Sequence, residues 1–150
     1  MNSAIAVTLR MRTTFLCLLI TLALAGHASA QGRIVARLSN LRNGRGVSRV
    51  CLFNTAEDFK ASRALQCRVI PATATEAVFE GITPGTYAVF VIHDENNNNR
   101  MDKNFFGIPK EGYGASRNNL PFAAAPTFAG NRFSVADRTT VTLSIRLRNL

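Results

Sequence analysis

The chain has no tryptophan, only two histidines, and nine acidic residues against eighteen basic ones. His27 falls in an N-terminal apolar region, so His93 is left alone in the remainder, and one histidine does not make a zinc site. No G-x-S-x-G nucleophile elbow is present to support a hydrolase. The formal net charge is +9. No run of five or more basic residues and no nucleic-acid module accompanies it, so no nucleic-acid partner is expected. Beyond the first 30 residues there is no further long apolar run, no internal repeat and little helical periodicity. Catalysis, nucleic-acid binding and membrane spanning therefore have little to rest on, and a small β-domain is what remains.

The first 30 residues read as a targeting segment. Arg10 and Arg12 form a positive region, 15–25 (FLCLLITLALA) an uncharged apolar run, and Ala28-Ser29-Ala30 a small-x-small cleavage site. That order predicts a signal peptide cleaved before Gln31. The run is shorter than the roughly 20 residues of a transmembrane helix. MRTTFLCLLITLALAGHASA is a complete signal by itself, so Met11 competes with Met1 as the start. The expected product is a single domain over 31–150, periplasmic or secreted, with no transmembrane span.

Without Arg10 and Arg12 the balance is 16 basic to 9 acidic residues, or +7. Arg33, Arg37, Arg49, Arg68, Arg146 and Arg148 are scattered along predicted strands. They read as a solvated basic surface or as one that attracts an anionic envelope polymer; another exported protein is a further possible partner. Cys17 leaves with the signal. Cys51 and Cys67 remain as an even pair in an oxidising compartment, which predicts a disulfide. Closing a loop of about 15 residues contributes on the order of 3 kcal/mol in the chain-entropy model.

Alternation dominates the rest. In 33–39 (RIVARLS), Ile34, Ala36 and Leu38 share one face. Asn43-Gly44 suits a turn, and 47–53 (VSRVCLF) follows, so these two strands are expected to pair as a hairpin. One short helix is expected within 54–64, capped by Thr55 with Asp58 three residues on, and Phe59 should tuck under the sheet. Strands are predicted at 65–70, stopped by Pro71, and at 75–79. Another, at 86–92 (TYAVFVI), is apolar on both faces and therefore central. Two more are predicted at 132–135 and 139–147, with Val141, Leu143, Ile145 and Leu147 inward. Residues 105–130 carry no convincing regular element. They hold too much apolar area for disorder, with Phe105, Phe106, Ile108, Tyr113, Leu120, Phe122 and Phe128, and are expected to lie over one end of the sheets. The fold class is all-β: an antiparallel β-sandwich of about seven strands, immunoglobulin-like or transthyretin-like, with a long ordered loop excursion.

Residues 93–114 (HDENNNNRMDKNFFGIPKEGYG) stand apart. With Asp94 at position 1, Asn96 falls at 3, Asn98 at 5, Asn99 at 6, Arg100 at 7 and Asp102 at 9. This is the acceptor spacing of a calcium loop, which must converge six to eight oxygens. Asn99 stands where such loops have Gly and is the best non-Gly substitute, because it tolerates the left-handed conformation. Arg100 would contribute its backbone carbonyl. Position 12 is Phe105 instead of a bidentate Glu, so the last oxygens must come from elsewhere, and Glu111 is the nearest carboxylate. The competing reading is an Asn-rich turn that hydrogen-bonds its own backbone. His93, Asp94 and Glu111 also form a nominal acid–base set, and Ser116 with His93 and an Asp nominally completes a hydrolase triad.

The run PGTYAVFVIHDENNNNRMDKNFFGIPKEGYGASRNN resembles the bacterial exported proteins of domain-of-unknown-function family 2141. The resemblance rests on Pro84, Gly85, Tyr87 and Ala88; on His93, Asp94, Asn96 and Asp102; on Gly107, Pro109, Glu111, Gly112, Tyr113 and Gly114; and on Ser116 and Asn118. The chain departs from the pattern at Asn97, Asn98 and Asn99, where Asn-Gly-like residues are usual. Arg117 interrupts a Ser-Asn pair, and the cysteine pair is extra. The resemblance implies an exported single-domain protein and names no reaction. The segment ITPGTYAV is also similar to the start of the penultimate strand in transthyretin-like and carboxypeptidase-regulatory-like sandwiches. The expected function is an exported non-catalytic module, with calcium at Asp94, Asn96, Asn98, Arg100, Asp102 and Glu111. The alternatives are a small periplasmic hydrolase using His93 and Glu111, or polymer binding by the basic surface.

Overall fold

A computed structural model describes residues 31–122 and 124–150. The signal-peptide expectation for 1–30 lies outside the described residues. Eight strands form two sheets. The first has the order β4 (Glu76–Ile82), β1 (Gly32–Ser39), β8 (Thr140–Arg146). The second has the order β3 (Gln66–Pro71), β2 (Val47–Phe53), β5 (Gly85–Asp94), β6 (Gly112–Ala115), and β7 (Phe133–Val135) pairs with β5 beyond β6. The described residues thus form an all-β sandwich, and no helix among them is long and apolar enough to cross a membrane.

Alternation explains the core. Ile34, Ala36 and Leu38 of β1 meet Ala77 and Phe79 of β4 and Leu143 and Ile145 of β8. From the second sheet come Val50 and Leu52 of β2 and Tyr87, Val89 and Val91 of β5. Period-2 apolar faces on both sheets interdigitate, and each fully buried large aliphatic or aromatic side chain contributes about 1.5–3 kcal/mol. β5 is central as its composition implies: β2 lies along one side of it, and β6 and β7 divide the other.

Two expectations about pairing are corrected. β1 and β2 do not form a hairpin; they lie in different sheets. The crossing, residues 40–46, turns on positive φ at Asn40 and Gly46, not at Asn43-Gly44, and Asn43 Oδ1 accepts the Arg45 N–H. Both strands turn one apolar face to the shared core from opposite sides. The sandwich is also not wholly antiparallel, because β1 and β8 run parallel through seven paired positions. They are the first and last strands, so their connection is long enough for a parallel pair.

The helix α1 (Ala56–Lys60) forms as expected, its first turn capped by Thr55 Oγ1, which accepts the Asp58 N–H. Phe59 packs edge-on against Phe53 and Phe90 at 5.1 and 6.1 Å between ring centroids, on the outer side of the second sheet. A second short helix, α2 (Phe128–Asn131), brings Phe128 to the same cluster. Cys51 and Cys67 are directly opposite on β2 and β3 and form a disulfide.

The stretch 105–130 splits in two. It contains β6 and α2, and Tyr113, Ala115 and Leu120 pack with Phe90 and Met101. Contrary to expectation, Phe105, Phe106 and Phe122 do not cover the sheet: they are 97, 82 and 95 % exposed. Asn104 closes its own tight turn around the first two, so their direction is set locally, away from the core.

Candidate functional site

β5 ends in the residues that begin the loop. His93 and Asp94 are consecutive in a strand, so their side chains leave on opposite faces. His93 follows Val89 and Val91 to the inter-sheet side, is fully buried, and its Nε2 lies 2.9 Å from the Arg45 carbonyl. A carbonyl only accepts, so Nε2 carries the proton. Asp94 leaves on the outer face, also fully buried. There it meets Arg49, which lies on β2 opposite Ile92 and reaches diagonally to place Nε 2.8 Å from Asp94 Oδ2.

The loop is wound around Asp94. Its Oδ1 accepts the Asn98 N–H at 3.0 Å and its Oδ2 the Asn99 N–H at 2.9 Å. Asn96 Oδ1 accepts the Asn98 N–H at 3.1 Å, and Asn98 Oδ1 accepts the Arg100 N–H at 3.0 Å. In loop positions these bonds run from 5 and 6 to 1, from 5 to 3, and from 7 to 5. Asn97 and Asn99 adopt positive φ of 58° and 71°, the conformation that asparagine tolerates best among non-glycines. The Arg100 carbonyl accepts no hydrogen bond from the described residues.

Asp102 closes the far side. Its two oxygens accept the side-chain amides of Asn96 at 2.7 Å and Asn98 at 2.9 Å. Glu111, buried, binds the Glu95 N–H through Oε1 at 3.2 Å and the Asp102 N–H through Oε2 at 3.0 Å. It therefore staples positions 2 and 9, coming back to the loop from beyond Phe105. Asp94, Asn96, Asn98, Asp102 and Glu111 are all brought together, with the Arg100 carbonyl beside them.

Several partners were not legible from sequence. Arg49 is one; its face on β2 follows from alternation, but its register against β5 does not. Glu95 is another. It takes Asn43 Nδ2 at 2.8 Å and Arg45 Nη2 at 3.2 Å on Oε2. Its Oε1 has no hydrogen bond, the nearest cation being Arg42 Nη1 at 3.7 Å. Gly46 is a third. With φ +69°, it lies so close to the loop's root that a Cβ there would stand 2.1 Å from the Asp94 carbonyl oxygen.

Electrostatics follow the geometry. Burial acts to raise the Asp94 pKa, but the Arg49 guanidinium and the N–H groups of Asn99 and Asn98 outweigh it and hold it below the usual value. Asp102 is lowered by the amides of Asn98 and Asn96. Glu95 is lowered first by the Asn43 amide, then by Arg45, against the effect of burial. All three are ionised at neutral pH. Among the described residues no three His, Cys, Asp or Glu side chains gather as a metal-binding group. The oxygen set at the loop is instead a mixture of carboxylate, amide and backbone carbonyl, which suits a hard cation and not zinc.

The nominal catalytic sets are not assembled. His93 points into the core, Asp94 and Glu111 are engaged by the loop, and Ser116 is buried, accepting the Val89 N–H and donating to the Asn131 carbonyl. Elsewhere, a polar cleft of about 430 Å³ is lined by Thr86, Arg117, Arg132, Phe133 and Ser134.

The fold and this loop define a class: a β-sandwich whose central strand feeds an asparagine-rich, carboxylate-stapled loop. The profile of a bacterial family described as "Uncharacterized protein conserved in bacteria (DUF2141)" matches residues 36–142, and the chain belongs to that family. No curated protein and no solved structure matches it.

Proposed function

We propose that the protein is an exported, non-catalytic β-sandwich module whose 94–102 loop binds calcium. The observation that carries this reading is the Glu111 staple. Position 12 lacks its carboxylate, and Glu111 supplies one at the same loop, bonded to positions 2 and 9. The N–H bonds to Asp94, Asn96 and Asn98 fix side chains at positions 1, 3 and 5. Asn96 and Asn98 Oδ1 each accept a single N–H, which leaves each a second lone pair for an ion. The Arg100 carbonyl is free to serve as the position-7 ligand.

Two features weaken the site. Arg49 already neutralises Asp94, and an ion would displace the amide bonds of Asn96 and Asn98 to Asp102. Affinity is therefore set near that of extracellular modules, about 10⁻⁴–10⁻³ M. Export is supported by the N-terminal sequence and by the Cys51–Cys67 disulfide, which persists in oxidising compartments. For a Kd of about 1 mM, calcium at about 10 mM raises the melting temperature by roughly 4–7 °C, and Asp102→Ala removes the rise. No rise in the wild type would leave the loop as a self-closed asparagine turn.

A second reading, attraction of an anionic envelope polymer, is favoured by the cleft at Arg117 and Arg132. Neither arginine has a carboxylate within 4.0 Å among the described residues. It predicts binding that falls steeply with salt and weakens in Arg117→Ala/Arg132→Ala.

A further inference from the structure

The tip of the excursion is built to display apolar side chains. Lys103 and Pro109 pair as a bridge, and five residues close the turn between them. Asn104 organises that turn. Its N–H donates to the Ile108 carbonyl, its carbonyl accepts the Gly107 N–H, and its Oδ1 accepts the N–H of both Phe106 and Ile108. Gly107 takes φ +78°, and a Cβ there would meet nothing within 4 Å, so the tip is convex and stands clear of the protein. On this turn Phe105 is 97 % exposed, Phe106 82 % and Ile108 45 %. The two rings rest edge-to-face at 5.6 Å. Single exposed apolar residues need no explanation, but two adjacent phenylalanines on an ordered turn mark an interaction surface.

What surrounds the tip identifies the partner. Lys103 and Lys110 are exposed, and neither has a carboxylate within 4.0 Å among the described residues. Lys103 and Lys110 stand on the two stems just below the tip, Lys110 N–H being tied to the Asp102 carbonyl. An apolar point above a cationic collar has the same order as an anionic bilayer, with acyl chains inside and negative headgroups outside. We infer that the 104–108 turn inserts Phe105 and Phe106 into the surface of an anionic lipid bilayer, with Lys103 and Lys110 on the headgroups. This inference stands independently of calcium binding.

The absence of tryptophan supplies the test. In the mature chain, residues 31–150, Phe106→Trp creates a sole tryptophan at the tip, and Phe122→Trp a control at a second exposed position. With vesicles of phosphatidylglycerol and phosphatidylcholine, the indole emission of the Phe106→Trp chain is expected to shift to shorter wavelength and to be quenched by brominated acyl chains. The emission of the Phe122→Trp chain stays that of an indole in water. Phosphatidylcholine alone gives no shift, and added salt reverses it. Partitioning of the tryptophan-free chain, read by co-sedimentation with the same vesicles, falls at least about 100-fold in Phe105→Ser/Phe106→Ser. It falls roughly 25-fold in Lys103→Ala/Lys110→Ala. Emission of the Phe106→Trp chain unchanged by any vesicle, or an equal shift in the Phe122→Trp chain, overturns the inference. A concentration-dependent shift without lipid also overturns it, in favour of self-association through the tip.

Discussion

The base and the tip of one excursion follow opposite rules. At the base, residues 94–102, the carboxylates and amides hold the loop's own backbone, and Arg49 and Glu111 pin it from outside. At the tip, residues 104–108, Asn104 satisfies the backbone and two phenylalanines are left in water. Both are ordered by asparagine hydrogen bonds, yet the base turns its polar groups inward and the tip turns its apolar groups outward. The difference separates where the loop's folding energy resides from where apolar surface is displayed. Disturbing the base should cost folding energy, whereas disturbing the tip should not.

The largest effect is expected at the centre of the base. Asp94→Ala leaves the half-buried Arg49 without its carboxylate, with only Asn97 Oδ1 as acceptor, and strands the Asn99 N–H, while the Asn98 N–H keeps Asn96 Oδ1. Breaking a buried pair in this way costs about 3–5 kcal/mol, measurable by urea denaturation. Next is Glu111→Ala, which frees the N–H groups of Glu95 and Asp102 at a cost of about 1–3 kcal/mol. At Asn99, with φ 71°, Ala is expected to cost about 1–2 kcal/mol, while Gly stays within about 0.5 kcal/mol of wild type. Equal effects of Ala and Gly would mean that the left-handed conformation is not what this position requires. The smallest effect is at the tip: Phe105→Ser/Phe106→Ser shifts stability by less than about 0.5 kcal/mol. A loss comparable to that at Asp94 would erase the contrast between base and tip.

Acid should also act on the base. Asp94, Asp102 and Glu95 have folded pKa values below their ordinary ones. Depressed carboxylates contribute stability that is fully present above the unfolded value, near 4, and lost as pH falls through the folded value. Urea midpoints are thus expected to be level from neutral pH down to about 5 and to decline below about 4. Asp94→Asn should flatten the decline.

Much of the sandwich was legible because period-2 alternation is a local signal. Ile34, Ala36 and Leu38, or Leu143 and Ile145, announce their buried face within five residues. The apolar run 86–92 announced a central strand. Pairing was less legible. Nothing local says that β1 stacks over β2 instead of pairing with it, or that β8 joins β1 in parallel. β6 escaped because its sequence, GYGA, has no side-chain alternation to read, and its edges are set by β5 and by the Tyr113–Arg148 bridge.

At the site, spacing drew Asp94, Asn96, Asn98 and Asp102 into one loop, and the missing position-12 carboxylate pointed to Glu111. Arg49, Arg45 and Asn43 come from the preceding strand and crossing, so only the tertiary fold places them. The outward turn of Phe105 and Phe106 contradicted an area argument that was sound for Tyr113, Leu120 and Phe128. The local chemistry of Asn104 and Gly107 decided the direction of these two rings, and the total apolar area did not.

The most direct measurement is a calorimetric calcium titration of the full chain, with Asp102→Ala and Glu111→Gln beside it. One site per chain is expected, with a dissociation constant of about 10⁻⁴–10⁻³ M, abolished by Asp102→Ala and weakened by Glu111→Gln. A wild-type chain that shows no saturable heat up to about 10 mM calcium, a concentration well above that range, would contradict it.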